Sequence, residues 1–431
     1  MAFKAGAARV IITPPVGVEL SGYGFGPSVG ILDDLEAQAL VLEQGAEVVV
    51  LVTADLLLVG DELVAGVRQR VQEALGIPGE RVLIMASHTH SGPATAPLRQ
   101  WGVMDAGYLR NLESQFVGLV GLAQRNLQEA ALGVGLGRVD NISENRRMEG
   151  GPIDPAVPVL RVDKRGGEPI AVLFNFGCHP VSLHSYRNLI SPDYPGYARA
   201  VMRSVLGPDV VALFALGAAG DCNPAGYVAG QTTPRRSRQI GAILGCEVAR
   251  VALGLGARSN PELRVKRAVV ELPVAPLPPE AELRAIHEQF AAQAARGRAE
   301  GRSFAEISVA EIQRDWAQDA LSVRAAGKTQ RSRPCEIQGI RLGEAALVTM
   351  PLEVFAETGL AIKQGSPASP TFLCSATNAA LGYLPMREAY AVEDYTNPQG
   401  LAPKVYGLYA FTPEAEPLAR KAANELLRSL F

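Results

Sequence analysis

Histidine is scarce in this chain, five residues in 431, and four of the five fall into two short motifs. His88 and His90 stand in Ser87-His88-Thr89-His90-Ser91-Gly92-Pro93. His179 and His184 belong to a second segment that opens Gly177-Cys178-His179-Pro180. A lone histidine is most often a packing or surface residue, and His287, in a helical stretch, needs no special role. Two clusters, each in a Gly/Pro-bounded turn, instead suggest a metal site, and imidazole favours zinc over harder cations. Catalytic centres of that kind add a carboxylate and keep one position for water. Asp55, Asp193, Asp221 and Glu353 all qualify as the carboxylate, and spacing does not choose among them. Cys178 and Cys222 flank the same motifs, so a thiolate ligand stays open.

These residues need elements to position them. Strand-like and helix-like segments alternate along most of the chain, with a valine-rich strand expected over 47–54 and another over 157–162. Four further strands, over 81–86, 169–176, 210–216 and 346–350, each run straight into a polar, Gly/Pro-punctuated segment. In open α/β sheets, ligands bind beyond the carboxyl ends of strands. The fold class expected is α/β, a mixed β-sheet core flanked by helices, with a strand order that the sequence does not yield. Asp61 is expected to cap a helix whose Val64, Val67 and Val71 follow helical spacing. Residues 279–327 carry no strand pattern and read as two amphipathic helices broken near 297–301. This is a helical-hairpin insertion packed on the body, with a lid or a subunit contact as the rival reading. A last helix opens with Thr412 as N-cap and Pro413 at its first position. Without repeats or low-complexity linkers, residues 1–431 read as one domain carrying the 279–327 insertion.

Composition narrows the function classes. A chain that is 48% hydrophobic and 20% charged buries a large core without disulfide staples. A net charge of −3 leaves no basic footprint for nucleic acid. The longest apolar stretch, 48–59, is interrupted by Thr53 and Asp55 and falls short of the roughly 20 residues a bilayer requires, so no transmembrane segment is expected. The N-terminal sequence lacks the apolar core of a signal peptide. Five scattered cysteines without a CxxC pair suit a reducing compartment. A cytoplasmic protein is expected, with a homo-oligomer left open.

Several segments together resemble the neutral, non-lysosomal ceramidases. They are SHTHSGP (87–93), NFGCHPVSLHSYRNLISPDYPGYA (175–198), GAAGDCNP (217–224), MPLEVF (350–355) and TNAALGY (377–383), in that order and at similar spacing. AARVIITPPVGVELSGYG (7–24) and TADLLLV (53–59) extend the likeness over nearly the whole chain, as a short homologue of the family's catalytic domain without its C-terminal β-sandwich. The resemblance implies a zinc-dependent hydrolase of a linear amide, with one zinc ion per chain, metal-activated water as nucleophile, and a small N-acyl or lipid-like substrate. Carried over by position, the ligands would be His88, His179, Glu353 and Tyr383. His90 would bond an oxyanion or shuttle a proton. Arg146, in SENRR (143–147), and Tyr395 match other site residues, with Arg147 the rival of Arg146. Asp193 and Asp221 would order loops or bond the ligands rather than bind metal.

One position departs from the family. Where the ceramidases have GDVSPN with a functional serine, this chain has Gly220-Asp221-Cys222-Asn223-Pro224, so Asn223 stands in the serine's place. An amide offers a hydrogen bond but no hydroxyl nucleophile. Two rival functions follow. One keeps the metal but cleaves an ester, lactone or phosphoester. The other is a non-catalytic metal-binding homologue.

Overall fold

The computed structural model describes residues 2–23, 26–259, 261–391 and 400–431. Among the described residues the larger sheet has nine strands, eight of them in one path: β1 (Phe3–Ile11), β2 (Glu36–Gln44), β3 (Glu47–Ala54), β4 (Val82–Ala86), β5 (Gln128–Arg138), β6 (Ala156–Lys164), β7 (Pro169–Phe176) and β8 (Val211–Leu216). Their order is β8-β7-β6-β5-β1-β2-β3-β4, with Arg258–Ser259 pairing beside β5. Only the two outermost pairs, β7 with β8 and β3 with β4, are parallel. A smaller sheet follows, with β9 (Leu263–Pro273), β10 (Ser332–Leu342), β11 (Ala345–Thr349) and β12 (Thr371–Cys374) in sequence order and its last pair parallel.

Alternation along the strands stacks the two sheets. Leu40, Leu42, Leu51, Leu83, Leu173 and Leu213 meet Ile340, Leu347 and Phe372 of the smaller sheet in one buried cluster. Their neighbours Val41, Val50, Ile84, Phe174 and Phe214 point the other way, into a second cluster. Helices α1 (Asp61–Leu75), α2 (Ala106–Arg125), α3 (Tyr194–Leu206) and α4 (Pro234–Gly254) close that face. Helices α5 (Glu280–Ala299) and α6 (Phe304–Ala325) form the expected hairpin. Beyond it come α7 (Ala356–Gly365), the short α8 (Ala402–Tyr406) and α9 (Ala415–Leu430), and α7 and α9 cover the outer face of the smaller sheet. The result is four layers, helix–sheet–sheet–helix. Strands covered on both faces read as unbroken apolar runs, which is why the valine-rich stretch 47–54 was legible without alternation.

Two helix starts differ from expectation. The N-cap of α1 is Gly60, and Asp61 already lies in the first turn, where its charge suits the helix dipole. Gly60 is the residue that can approach the Thr95 carbonyl, which a β-carbon there would meet at 2.9 Å. The last helix starts at Ala415 rather than Pro413. Thr412 donates its backbone N–H to the Pro273 carbonyl at 3.0 Å, so the sheet edge holds this residue out of the helix. The hairpin breaks at 300–303, where Ser303 and Glu306 form a reciprocal capping box. Among the described residues, no helix is long and apolar enough to cross a membrane.

One buried ion pair ties the strand ends to the helical layer. Asp55, just past β3, accepts both terminal nitrogens of Arg199 from α3 and also the backbone N–H of Glu36 at 2.9 Å. Burial pushes the Asp55 carboxyl up, and Arg199 pulls against that shift. Removing one partner of a buried pair leaves the other charge uncompensated, at a cost of about 3–5 kcal/mol. Arg199→Met is expected to lower unfolding free energy by about that much, read from the urea midpoint at constant slope. A loss below about 1 kcal/mol, the range of exposed pairs, would show that this pair does not hold the layer.

Candidate metal centre

The site is built from chain segments that leave parallel strand pairs. Beyond β4, Ser87 N–H bonds the Ala54 carbonyl and His88 N–H the Leu56 carbonyl, both at 2.8 Å. This turn puts His88 at φ 69°, a left-handed conformation that costs a non-glycine residue about 1–3 kcal/mol. Beyond β7, His179 N–H bonds the Cys222 carbonyl at 2.9 Å. Both imidazoles are fully buried. Each turns its Nδ1 outward to a backbone carbonyl: Leu57 for His88 at 2.8 Å, Ala219 for His179 at 2.5 Å. His90 does the same with Gly22 at 3.1 Å. Gly22 sits at φ 107°, and a β-carbon there would meet the His90 Nδ1 at 2.6 Å. A carbonyl only accepts, so each Nδ1 carries the proton and each Nε2 presents a lone pair.

Those lone pairs converge. The Nε2 atoms of His88 and His179 are 3.2 Å apart, and Glu353 Oε2 lies 3.3 Å from the first and 3.0 Å from the second. A tetrahedral zinc ion with Zn–N near 2.0–2.1 Å has ligand atoms about 3.3–3.4 Å apart, so the three edges fit such an ion. The ligand nitrogens of His88, His90 and His179 lie within 4.8 Å of one another. The closer set is the one that includes Glu353, and His90 stands outside it with a buried Nε2 that has no hydrogen-bond partner among the described residues.

Electrostatics points the same way. Burial, then the Arg146 guanidinium, push the His179 imidazole down to about 4. Burial and the neighbouring imidazoles push His90 well below its usual range. Burial also opposes ionisation of Glu353, yet the imidazoles facing it hold its carboxyl well below the carboxylate range. A neutral His179 and an ionised Glu353 are the forms in which imidazole and carboxylate bind a metal ion.

The structure distributes the other candidates clearly. Glu353–Val354 pairs in parallel with Tyr383–Leu384, so Glu353 and Tyr383 are direct neighbours. The Tyr383 hydroxyl accepts Arg146 Nη2 at 3.1 Å, and the same nitrogen donates to the Gly220 carbonyl at 2.6 Å. Burial, then the Glu353 charge, push the Tyr383 phenol up. Arg147 turns away, to the Ala389 carbonyl and the Phe355 ring. Ser143–Asn145 pairs antiparallel with Cys222–Pro224, which brings Asn223 beside the backbone leading to Arg146. Asn223 is buried, and its Oδ1 has no partner among the described residues.

Three of the four acidic candidates are engaged elsewhere. Asp55 holds Arg199, Asp193 accepts the Ser182 and Ser237 hydroxyls, and Asp221 accepts Asn145 and the Ala356 N–H. Burial pushes the Cys178 and Cys222 thiols up, so neither thiolate is favoured. His184 pairs with Tyr227 rather than with the other histidines, its Nδ1 lying 3.3 Å from the tyrosine hydroxyl. Tyr395 lies outside the described residues. The sequence reading missed Tyr406, whose hydroxyl donates to Glu353 Oε1. Nothing in local spacing marks a contact between residues 53 positions apart.

Comparison with known proteins agrees with the motifs. A family model described as neutral/alkaline non-lysosomal ceramidase, N-terminal, matches residues 3–238. Over 170 residues the chain is 28% identical to neutral ceramidase A of Dictyostelium discoideum, and over 238 residues 27% identical to that organism's neutral ceramidase B. These stretches cover 35% and 48% of this chain but only 24% and 33% of the relatives. The crystal structure of neutral ceramidase from Pseudomonas aeruginosa matches 100% of this chain and 74% of its own, with a TM-score of 0.77 at 20% identity. That likeness shows the fold. His88, His90, Arg146, His179 and Asn223 fall inside the matched family segment, whereas Glu353 and Tyr383 rest on the geometry.

The metal assignment is open to direct measurement. Purified protein is expected to carry about one zinc ion per chain by elemental analysis, in line with a single set of converging ligand atoms. His88→Ala and His179→Ala should each lose most of it while the far-ultraviolet circular dichroism is retained. His90→Ala should keep the metal. Full occupancy in the His88→Ala/His179→Ala double variant would rule the assignment out.

Proposed function

The chain belongs to the neutral/alkaline non-lysosomal ceramidase family, and from that premise and the geometry above we propose that it hydrolyses a linear N-acyl amide at a one-zinc centre. The observation that carries the reading is the convergence of two tautomer-locked Nε2 atoms on Glu353 Oε2, at 3.0 and 3.3 Å. In this reading His88, His179 and Glu353 hold the ion, and Tyr383 provides the fourth contact or orients what occupies that position. A zinc ion in such a set polarises a carbonyl and makes water reactive near neutral pH.

The chain's own residues supply the rest. His90 is neutral, with its Nδ1–H committed to Gly22. Its buried Nε2 is therefore a proton acceptor, suited to taking a proton from water and returning it to the leaving amine. Arg146 places positive charge beside Tyr383 and the Gly220 carbonyl, where it stabilises negative charge that develops on the amide oxygen. Asn223 adds an amide donor in the position where the ceramidases have serine. Neither Asn223 nor a protonated Cys222 serves as a nucleophile, which leaves water. The substrate is proposed to be a small N-acyl or lipid-like amide, since the named relatives are ceramidases. With Asn223 in the serine position, ceramide itself is one member of that class to be tried.

A panel of N-acyl amides, chromogenic esters and phosphate esters, assayed with zinc, should show turnover of the amides. Faster turnover of a phosphate ester would move the enzyme to another class. Asn223→Ala is expected to lower kcat about 10²–10³-fold, the effect of losing one oxyanion donor, with zinc content unchanged. Mass spectrometry of intact protein quenched during turnover should detect no acyl adduct. An adduct on Cys222 would replace direct water attack with nucleophilic catalysis.

A further inference from the structure

Tyr406 is a partner of the site that no motif announces, and the helical insertion lies outside both sheets. The structure joins the two. Resting on the metal-centre reading, we propose that Tyr406 is the positioning residue for Glu353, and that the α5–α6 hairpin holds it in place.

Glu353 has two oxygens with different tasks. Oε2 faces the histidine nitrogens, and Oε1 takes the Tyr406 hydroxyl. A carboxylate anchored through one oxygen cannot rotate the other away from its target. Partners of this kind fix ligand orientation and are worth about 10–100-fold in metal affinity or activity. The phenol is itself confined. Tyr406 is buried, with Tyr383 packed edge-on against it at 5.8 Å between ring centroids and Trp101 at 6.5 Å.

The backbone that carries Tyr406 is tied to the insertion. Arg99 donates through Nη1 to the carbonyls of Lys404 and Gly407, on either side of Tyr406. The same guanidinium bonds Asp319 of α6 through Nε at 3.1 Å and Nη2 at 2.7 Å. One residue on, Gln100 bonds Asp315 at 2.9 Å. Trp316, between those two aspartates on the helix, donates its indole N–H to the Leu408 carbonyl at 2.9 Å. The Lys404 ammonium stands over the same indole, 5.2 Å from its centroid. One face of α6 thus bonds both the 99–100 loop and the 404–408 segment.

A merely packed hairpin contributes to stability alone. A brace for Tyr406 also changes how tightly the centre holds zinc. The test uses the full chain, with zinc affinity measured by competition against a chromophoric chelator. Tyr406→Phe is expected to weaken zinc binding about 10–100-fold and to lower kcat with little change in KM. The thermal midpoint of the metal-free protein should stay near wild type. Asp319→Ala combined with Trp316→Phe leaves Tyr406 intact and keeps the test available if Tyr406→Phe does not fold. That double variant should weaken zinc binding in the same direction, by less. Wild-type zinc affinity in Tyr406→Phe would overturn the role of Tyr406, and wild-type affinity in the double variant would overturn the brace. Wild-type protein that takes up no zinc would instead remove the metal-centre reading on which the inference rests.

Discussion

The interaction on which the rest depends is the approach of a buried carboxylate to two imidazole lone pairs. Glu353 Oε2 lies 3.0 and 3.3 Å from the Nε2 atoms of His179 and His88, with all three groups out of water. Lone pairs and a carboxylate packed this closely repel unless positive charge stands among them, and an uncompensated buried charge costs several kcal/mol. Burial, then the Arg146 guanidinium, hold the His179 imidazole down and disfavour a second proton on it. The tautomers are decided by backbone carbonyls, so the fold itself dictates a set of inward-facing acceptors compatible with a metal site.

Parallel strand pairs explain how these acceptors meet. His88 follows β4, paired in parallel with β3; His179 follows β7, paired with β8; Glu353 follows β11, paired with β12. At the carboxyl end of a parallel pair both chains exit side by side and can bond each other once the ladder stops. Ser87 N–H to Ala54, Gly217 N–H to Phe176 and Met350 N–H to Cys374 are those bonds, each at 2.8 Å. Antiparallel pairs elsewhere in both sheets have no such shared exit. A largely antiparallel structure thus keeps parallel pairs where His88, His179 and Glu353 leave the sheets.

Much of this was legible in the residues. Histidines concentrated in Gly/Pro-bounded turns after apolar runs gave the strand ends, and His88 and His179 are where that pattern put them. The carboxylate was not legible from spacing, because Asp55, Asp193 and Asp221 sit in equally suggestive segments and are spent on Arg199, on serine hydroxyls and on Asn145. Only the resemblance singled out Glu353. Strand order, the pairing of Ser143–Asn145 with Cys222–Pro224, and Tyr406 escaped for one reason. Each is a contact between distant segments, and periodicity reports only on neighbours. Both misplaced helix starts have the same origin, since tertiary bonds at Gly60 and Thr412 overrode the local capping signals.

The two sheets still have to be held in register, since His88 and Glu353 come from different ones. The segment after β12 does this. Ala376 accepts the N–H of Ala86 at 3.1 Å and donates its own to Leu352 at 3.2 Å. Asn378 bonds Ile84 twice, N–H to carbonyl at 2.9 Å and Oδ1 from N–H at 2.8 Å. Thr377 between them donates to Met350. The edge strand that leads to His88 is therefore stitched directly to the turn that carries Glu353. The stitch has a cost, because Ala376 and Asn378 sit at φ 50° and 66°, as His88 does at 69°. Such residues persist only where their surroundings over-determine them; Ala376 and Asn378 bond across the gap between the sheets, and His88 is held by the carbonyls of Leu56 and Leu57. Two of these strained residues, Ala376 and Asn378, thus tie the strand that leads to His88 to the turn that carries Glu353.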